Sequence, residues 1–274
     1  MLIFPAVLLL AIPARTVGRL DWDAFATYGS FEDLRREQER EMLEERLNSM
    51  DQIKLGQRDG FVTVAIDGAA GSGKTSTARA LAERCGYASV STGEHYRALA
   101  ALFLAEHIPV ADEAALEARL RQLQLSTIFC GSRAWIAVNG KTFSESELRS
   151  PAVTEAVPAY ASRPVLRRFL HDYERQLPAA ARAAGFKGIV MEGRDVASAV
   201  VPDGDLRVYL EVGLEERAKR RAREGIVDNV AERDRRDRKQ MGPAKGVWHL
   251  DGTGLSLEEV VALLQSRLQE VDGR

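Results

Sequence analysis

An α/β fold, with a parallel sheet flanked on both faces by helices, is what the 274-residue sequence predicts. Three features point to it. Short apolar runs rich in β-branched residues alternate with longer stretches whose apolar residues recur at helical spacing. A glycine-rich turn follows the first of these runs directly. The chain is 45% hydrophobic and 28% charged, which is enough apolar material for a core and too much charge for a polytopic membrane protein. At about 150 residues per domain, this length fits one large domain or one domain with an insert.

The first sixty residues stand apart from that pattern. Residues 1–14 read MLIFPAVLLLAIPA, too short for a spanning helix and broken by Pro5 and Pro13. No Lys or Arg precedes the apolar stretch, as a secretory signal would require. A loosely docked strand, or a start placed upstream of the domain, is expected. Residues 31–47 hold seven acidic and four basic side chains and only a thin apolar stripe, which predicts a solvated helix. Residues 48–60 read as a linker. The extension is therefore placed at 1–60 and the folded domain at 61–274.

Within the domain, residues 61–67 (FVTVAID) form a buried strand by pattern, and residues 76–84 a helix. A second strand is expected at 87–91 and a second helix at 96–107. Residues 126–129 and 134–138 read as two strands, the latter closed by the turn dipeptide Asn139-Gly140. Residues 151–184 are expected to be helical, with interruptions near Pro158 and Pro164. Strands follow at 188–191 and 206–210, charged helices at 214–223 and 229–240, a last strand at 247–250 and a closing helix at 256–271. The stretch from about 110 to 185 looks like an insertion into the α/β core.

Charge and cysteine content narrow the function. A net charge of −2 and a pI near 6.2 argue against a dedicated nucleic-acid binder. Cys85 and Cys130 are far apart and lack metal-ligand spacing, as expected of two reduced thiols. His95, His107, His171 and His249 form no cluster in sequence. A soluble cytoplasmic monomer, without nucleic-acid or membrane partners, is the expectation.

The segment Gly68-Ala69-Ala70-Gly71-Ser72-Gly73-Lys74-Thr75 fits the phosphate-binding pattern G-x-x-x-x-G-K-[ST], with a strand before it and a helix after it. Its glycines permit a tight turn in which successive N–H groups can wrap a polyphosphate, and the following helix adds its positive dipole end. Lys74 supplies a mobile charge for the β- and γ-phosphates, and the Thr75 hydroxyl suits a Mg²⁺ ion. A nucleoside triphosphate with Mg²⁺ is thus expected at this P-loop. A second basic feature lies at 215–240, with eight Arg and two Lys against seven acidic residues. Arg217, Arg220 and Arg221 share one helical face. A salt-bridged helical hairpin would account for this run, and so would a lid that closes over phosphates and excludes water.

The motifs VAIDGAAGSGKT, STGEHYRAL, ELRSPAV, MEGRDVASAVVPD, EERAKRR, ERDRRDR and LDGTGLSLEEVV, in this order, resemble bacterial cytidylate kinases. These are P-loop nucleoside monophosphate kinases that phosphorylate CMP and dCMP from ATP. The resemblance covers about residues 61–270. It implies a P-loop kinase core, an inserted monophosphate-binding region and a helical lid. It also implies that Lys74, Arg194, Arg217 and Arg221 stabilise the transferring phosphoryl group. Thr92 and Arg97 would bind the acceptor near its phosphate, and Arg167 would reach the cytosine ring. Arg194 would hold the phosphate while Asp195 accepts from the cytosine amino group. Arg233 and Asp237 would contact the monophosphate and its sugar from the lid.

Some positions depart from the family pattern. Ser91 stands where an aspartate is usual, His95 where an apolar residue is usual, and Pro158 where a serine grips cytosine. Gln240 replaces an arginine, and Thr75 replaces a glycine of the usual P-loop. Two alternatives follow: a P-loop kinase acting on another small acceptor, or a catalytically silent nucleotide-binding regulator.

Overall fold

The computed structural model describes residues 8–11, 60–223 and 246–272. Among these, nine strands form one sheet in the order β1-β4-β5-β3-β7-β2-β8-β9, with β6 paired to β5. The strands are β1 (Leu8–Ala11), β2 (Val62–Gly68), β3 (Ala88–Ser91), β4 (Leu125–Cys130), β5 (Arg133–Val138), β6 (Lys141–Thr142), β7 (Gly188–Gly193), β8 (Leu206–Glu211) and β9 (Trp248–Asp251). All neighbouring pairs are parallel except β4–β5 and β5–β6, which are antiparallel. The sheet is thus mostly parallel. β1 runs alongside β4, with Leu8 opposite Ser126.

The side-chain alternation of a strand explains how the sheet divides the core. On β2, Val62, Val64 and Ile66 face one side and Ala65 the other; on β7, Val190 faces the first side and Ile189 and Met191 the second. Both faces are covered, so these strands are apolar on both sides. The first face packs against α1 (Lys74–Cys85) and a C-terminal helix (Leu257–Asp272) through Leu81, Val261 and Leu264. The second packs against α2 (Thr92–Ala105), through Leu99 and Phe103.

The region from 110 to 185 contributes α3 (Glu113–Leu120), the β4–β5–β6 strands, α4 (Glu145–Leu148), α5 (Pro151–Ala161), α6 (Pro164–Glu174) and α7 (Leu177–Ala183). Its core residues Leu116, Phe129, Leu166 and Leu170 join the cluster on the second face. The Asn139-Gly140 turn connects β5 to β6 with both residues at positive φ, the geometry a two-residue hairpin needs. The expected interruption at Pro158 does not occur. Pro158 lies inside α5, where its fixed φ suits a helix, and the core anchors Val153 and Tyr160 flank it. The expected break near Pro164 does occur, between Ala161 and Pro164, which opens α6 at a first-turn position where its missing N–H has no partner to lose. Helices α3 and α4, not anticipated, are started by Asp112 and by the Ser144–Glu147 capping box.

After β8 the chain forms α8 (Leu214–Arg223), and the C-terminal helix is α9. The helices expected at 31–47 and 229–240, and the linker at 48–59, lie outside the described residues. The parallel strands β3, β7, β2 and β8 are neighbours, and their carboxyl ends deliver Ser91, Glu192, Gly193, Asp67 and Gly68 to one edge. Ligands of open α/β sheets gather at that edge.

Candidate active site

The P-loop occupies the turn between β2 and α1. Gly68 is required by space: a Cβ there would lie 2.4 Å from the Leu210 carbonyl oxygen of β8. Four carbonyls of the loop meet cations. Lys74 Nζ donates to the Ala69 oxygen at 2.8 Å, Arg217 to the Ala70 oxygen at 3.2 Å, Arg194 to the Gly68 oxygen at 3.4 Å and Arg220 to the Ser72 oxygen at 3.5 Å. In a planar trans peptide the N–H of the next residue points opposite to the carbonyl. Holding these oxygens fixes the peptide planes that also carry the N–H groups of Ala69, Ala70, Gly71 and Gly73, and the Ala69 oxygen accepts the Ser72 N–H at 3.4 Å within the turn.

Arg217, which the resemblance places at the transferring phosphoryl group, stands beside the loop in this structure. It is buried, donates also to the Val212 oxygen at 2.8 Å, and does not line the cavity. Arg217 thus joins α8 to the loop, as does Arg220, which further donates to the Gly252 and Leu255 oxygens. The side chain of Arg221, and residues Arg233 and Asp237, lie outside the described residues.

A cavity of about 290 Å³ runs from the P-loop across the sheet edge. At one end it is lined by Ala70, Gly71, Lys74 and Thr75, and at the other by Arg97, Pro158, Arg167 and Asp195. Thr92, Arg194 and Glu192 lie on its wall. The structure thus brings together Lys74, Thr75, Thr92, Arg97, Arg167, Arg194 and Asp195, all singled out from sequence. Arg97 donates to the Leu148 oxygen at 2.8 Å and to Thr154 Oγ1 at 3.1 Å, which ties α2 to α4 and α5. Arg167, on α6, pairs with Asp195 Oδ2.

Two carboxylates that sequence reasoning missed organise this edge. Glu192, buried on β7, accepts from Thr75 Oγ1 at 2.8 Å and from Ser91 Oγ at 2.5 Å. Its backbone oxygen accepts from Thr92 Oγ1 at 3.1 Å. Glycine is needed next in the chain, because a Cβ at Gly193 would lie 2.3 Å from that Thr92 hydroxyl. The second carboxylate is Asp67, at the end of β2. Its two oxygens accept the Val196 and Ala197 N–H groups at 2.8 and 2.9 Å, anchoring the π-helical turn Val196–Val200 that follows Arg194-Asp195. The signal for both was available: each is a lone acid ending an otherwise apolar strand run.

A strand that ends in a P-loop and faces a cation-lined acceptor cavity across the carboxyl edge of a parallel sheet defines a P-loop kinase. More narrowly, the chain belongs to the cytidylate kinase family, whose sequence profile matches residues 64–270. The cytidylate kinase of Pelotomaculum thermopropionicum is 33% identical over 227 residues, covering 77% of this chain and 97% of that protein. That of Exiguobacterium sp. is 33% identical, covering 76% and 96%. That of Desulfitobacterium hafniense is 35% identical, covering 72% and 88%.

Burial pushes the Asp67 carboxyl from its ordinary 3.8 to about 6, against the pull of its two backbone N–H bonds. The folded chain holds that proton more tightly than the unfolded chain. The associated stability is therefore full below about pH 4 and is lost as pH rises through about 6. Asp67→Asn abolishes this term. In urea unfolding, its stability relative to the unsubstituted chain should improve by about 1–3 kcal/mol between pH 4 and pH 7. A difference independent of pH would contradict the assignment.

Proposed function

We propose that this chain transfers the γ-phosphoryl group of ATP to a phosphate oxygen of CMP or dCMP. The observation that carries this reading is the single cavity with the P-loop at one end and Arg97, Arg167 and Asp195 at the other. Two anionic ligands entering it would meet phosphate to phosphate.

The ATP phosphates lie on the N–H side of the loop, residues Gly68 to Thr75. Lys74 exchanges its bond to the Ala69 oxygen for the β- and γ-phosphates, and Arg194, between loop and acceptor, neutralises charge on both sides of the transfer. The acceptor oxygen forms a bond to the γ-phosphorus as the bond to the bridging oxygen of ADP breaks, with no covalent enzyme intermediate. Arg97 and Thr92 hold the acceptor phosphate. Arg221 in α8 adds positive charge to the transferring group, and Arg233 and Asp237 contact the monophosphate and its sugar, as the family resemblance implies.

The residues also suit a divalent cation. The Thr75 hydroxyl and the Glu192 carboxylate are hard oxygen donors at the mouth of the P-loop, the donor type Mg²⁺ takes together with nucleotide phosphates. Bound there, Mg²⁺ would neutralise phosphate charge. Ser91, also bonded to Glu192, takes part in the same cluster.

At the far end, Asp195 accepts from the cytosine amino group and Arg167 donates to the ring acceptors. Uracil would set an acceptor against the carboxylate, a mismatch worth up to about 10⁴-fold when buried polar groups lose their partners. Pro158 on the cavity wall has no donor for the base, which favours a second reading in which another small phosphate acceptor is used.

A coupled ADP-release assay across CMP, dCMP, UMP and AMP separates these readings. CMP and dCMP should be the best acceptors, and Asp195→Ala should reduce the CMP-to-UMP preference by about tenfold or more. A different best acceptor, or ATP binding without transfer to any of the four, would overturn the proposal. Lys74→Ala should lower kcat by about 10²-fold or more with an unchanged melting temperature. Near-normal turnover would remove the P-loop lysine from the mechanism.

A further inference from the structure

The mechanism leaves unused a histidine behind the base-reading end of the cavity. His171 lies one helical turn after Arg167 on α6, so the two share a face. Its Nε2 is 3.3 Å from Asp195 Oδ2, the same oxygen that pairs with Arg167. That Nε2 is fully buried and has no hydrogen-bond partner among the described residues. Its side chain is 12% exposed. An ionised carboxylate can only accept, so the buried Nε2 must carry a hydrogen to be compatible with it. On the other side, His95 Nδ1 lies 2.9 Å from Glu174 Oε1, and Glu174, the last residue of the same helix, is buried. The carboxylate of Glu174 is thus occupied by His95, and Asp195 is the acceptor toward which His171 Nε2 is aimed.

We propose that His171 is a positioning residue that fixes Asp195 for base recognition and so determines selectivity for a ring bearing an exocyclic amino group. Arg167 pairs with Oδ2 and His171 Nε2 stands 3.3 Å from it, which leaves Oδ1 to receive that amino group. An aspartate carboxyl rotates broadly about its terminal torsion, and a single anchor would not define which oxygen faces the ligand. Arg167 is a shared anchor, since it must also reach the base. When Arg167 turns toward the ring, His171 takes up Oδ2 and keeps the carboxylate oriented.

This inference rests on the reading that Asp195 meets the base, and the test separates the two. His171→Leu keeps apolar packing and removes the donor; His171→Gln keeps a donor near the position of Nε2. Steady-state kinetics of both, and of Asp195→Ala, are measured with CMP and UMP. The Leu variant should raise KM for CMP about tenfold and lower the CMP-to-UMP preference to a similar degree, as loss of a hydrogen bond to a charged group does. Its kcat and its KM for ATP should stay within about twofold, and the Gln variant should recover most of the loss. If Asp195→Ala shifts the preference but His171→Leu does not, His171 only packs and the inference fails. A parallel loss of kcat and ATP affinity in the Leu variant also overturns it. If Asp195→Ala itself leaves the preference unchanged, the base is read elsewhere and both readings fall. Should the Leu variant melt below the assay temperature, His171→Asn, whose amide stops short of Oδ2, replaces it under the same criteria.

Discussion

The structure depends on a constraint at the P-loop: its peptide planes are held through hydrogen bonds to their carbonyl oxygens. Left alone, a glycine-rich turn has many ways to orient its peptide planes, and only some present N–H groups to an anion. Here four carbonyls, of Gly68, Ala69, Ala70 and Ser72, each receive a donor from Arg194, Lys74, Arg217 or Arg220. The same contacts gather positive charge around the loop and link it to β7, α1 and α8. Phosphate binding and the docking of α8 are thus two consequences of one set of hydrogen bonds.

The acceptor side is built on β7 and β2 by carboxylates with structural work. Asp67 ties the turn after Asp195 to the strand that leads into the P-loop, and Glu192 ties Thr75 to Ser91 across the sheet edge. Both ends of the cavity are therefore referenced to adjacent parallel strands, β2 and β7, whose pairing from Val62 with Gly188 to Asp67 with Gly193 fixes their spacing. Phosphoryl transfer relies on positioning more than on covalent chemistry, and a rigid strand pair is a suitable base for it.

Much of this was legible in sequence. The strand runs at 61–67, 126–129, 134–138 and 206–210 and the helix at 214–223 appear in the structure within a residue or two, because β-branched clusters and charged amphipathic stretches carry clear periodicity. The break assigned to Pro158 failed because packing of Val153 and Tyr160 outweighs one missing backbone hydrogen bond. The P-loop and the residues around Arg194-Asp195 were readable as motifs. Glu192, Asp67 and His171 were not singled out, since each acts through a partner distant in sequence. Arg217 was readable as a functional cation but not as a support, because spacing on a helix does not reveal which side of a loop that helix meets.

The carbonyl-clamp account is tested most directly by titration calorimetry of a non-hydrolysable ATP analogue into the unsubstituted chain and Arg217→Met, which keeps the aliphatic stem and loses the donor to Ala70. The account predicts an analogue Kd raised about tenfold, with the Kd for CMP unchanged and the fold intact by circular dichroism. An unaltered analogue affinity in a folded Arg217→Met variant would show that the loop holds its own geometry, and would contradict it.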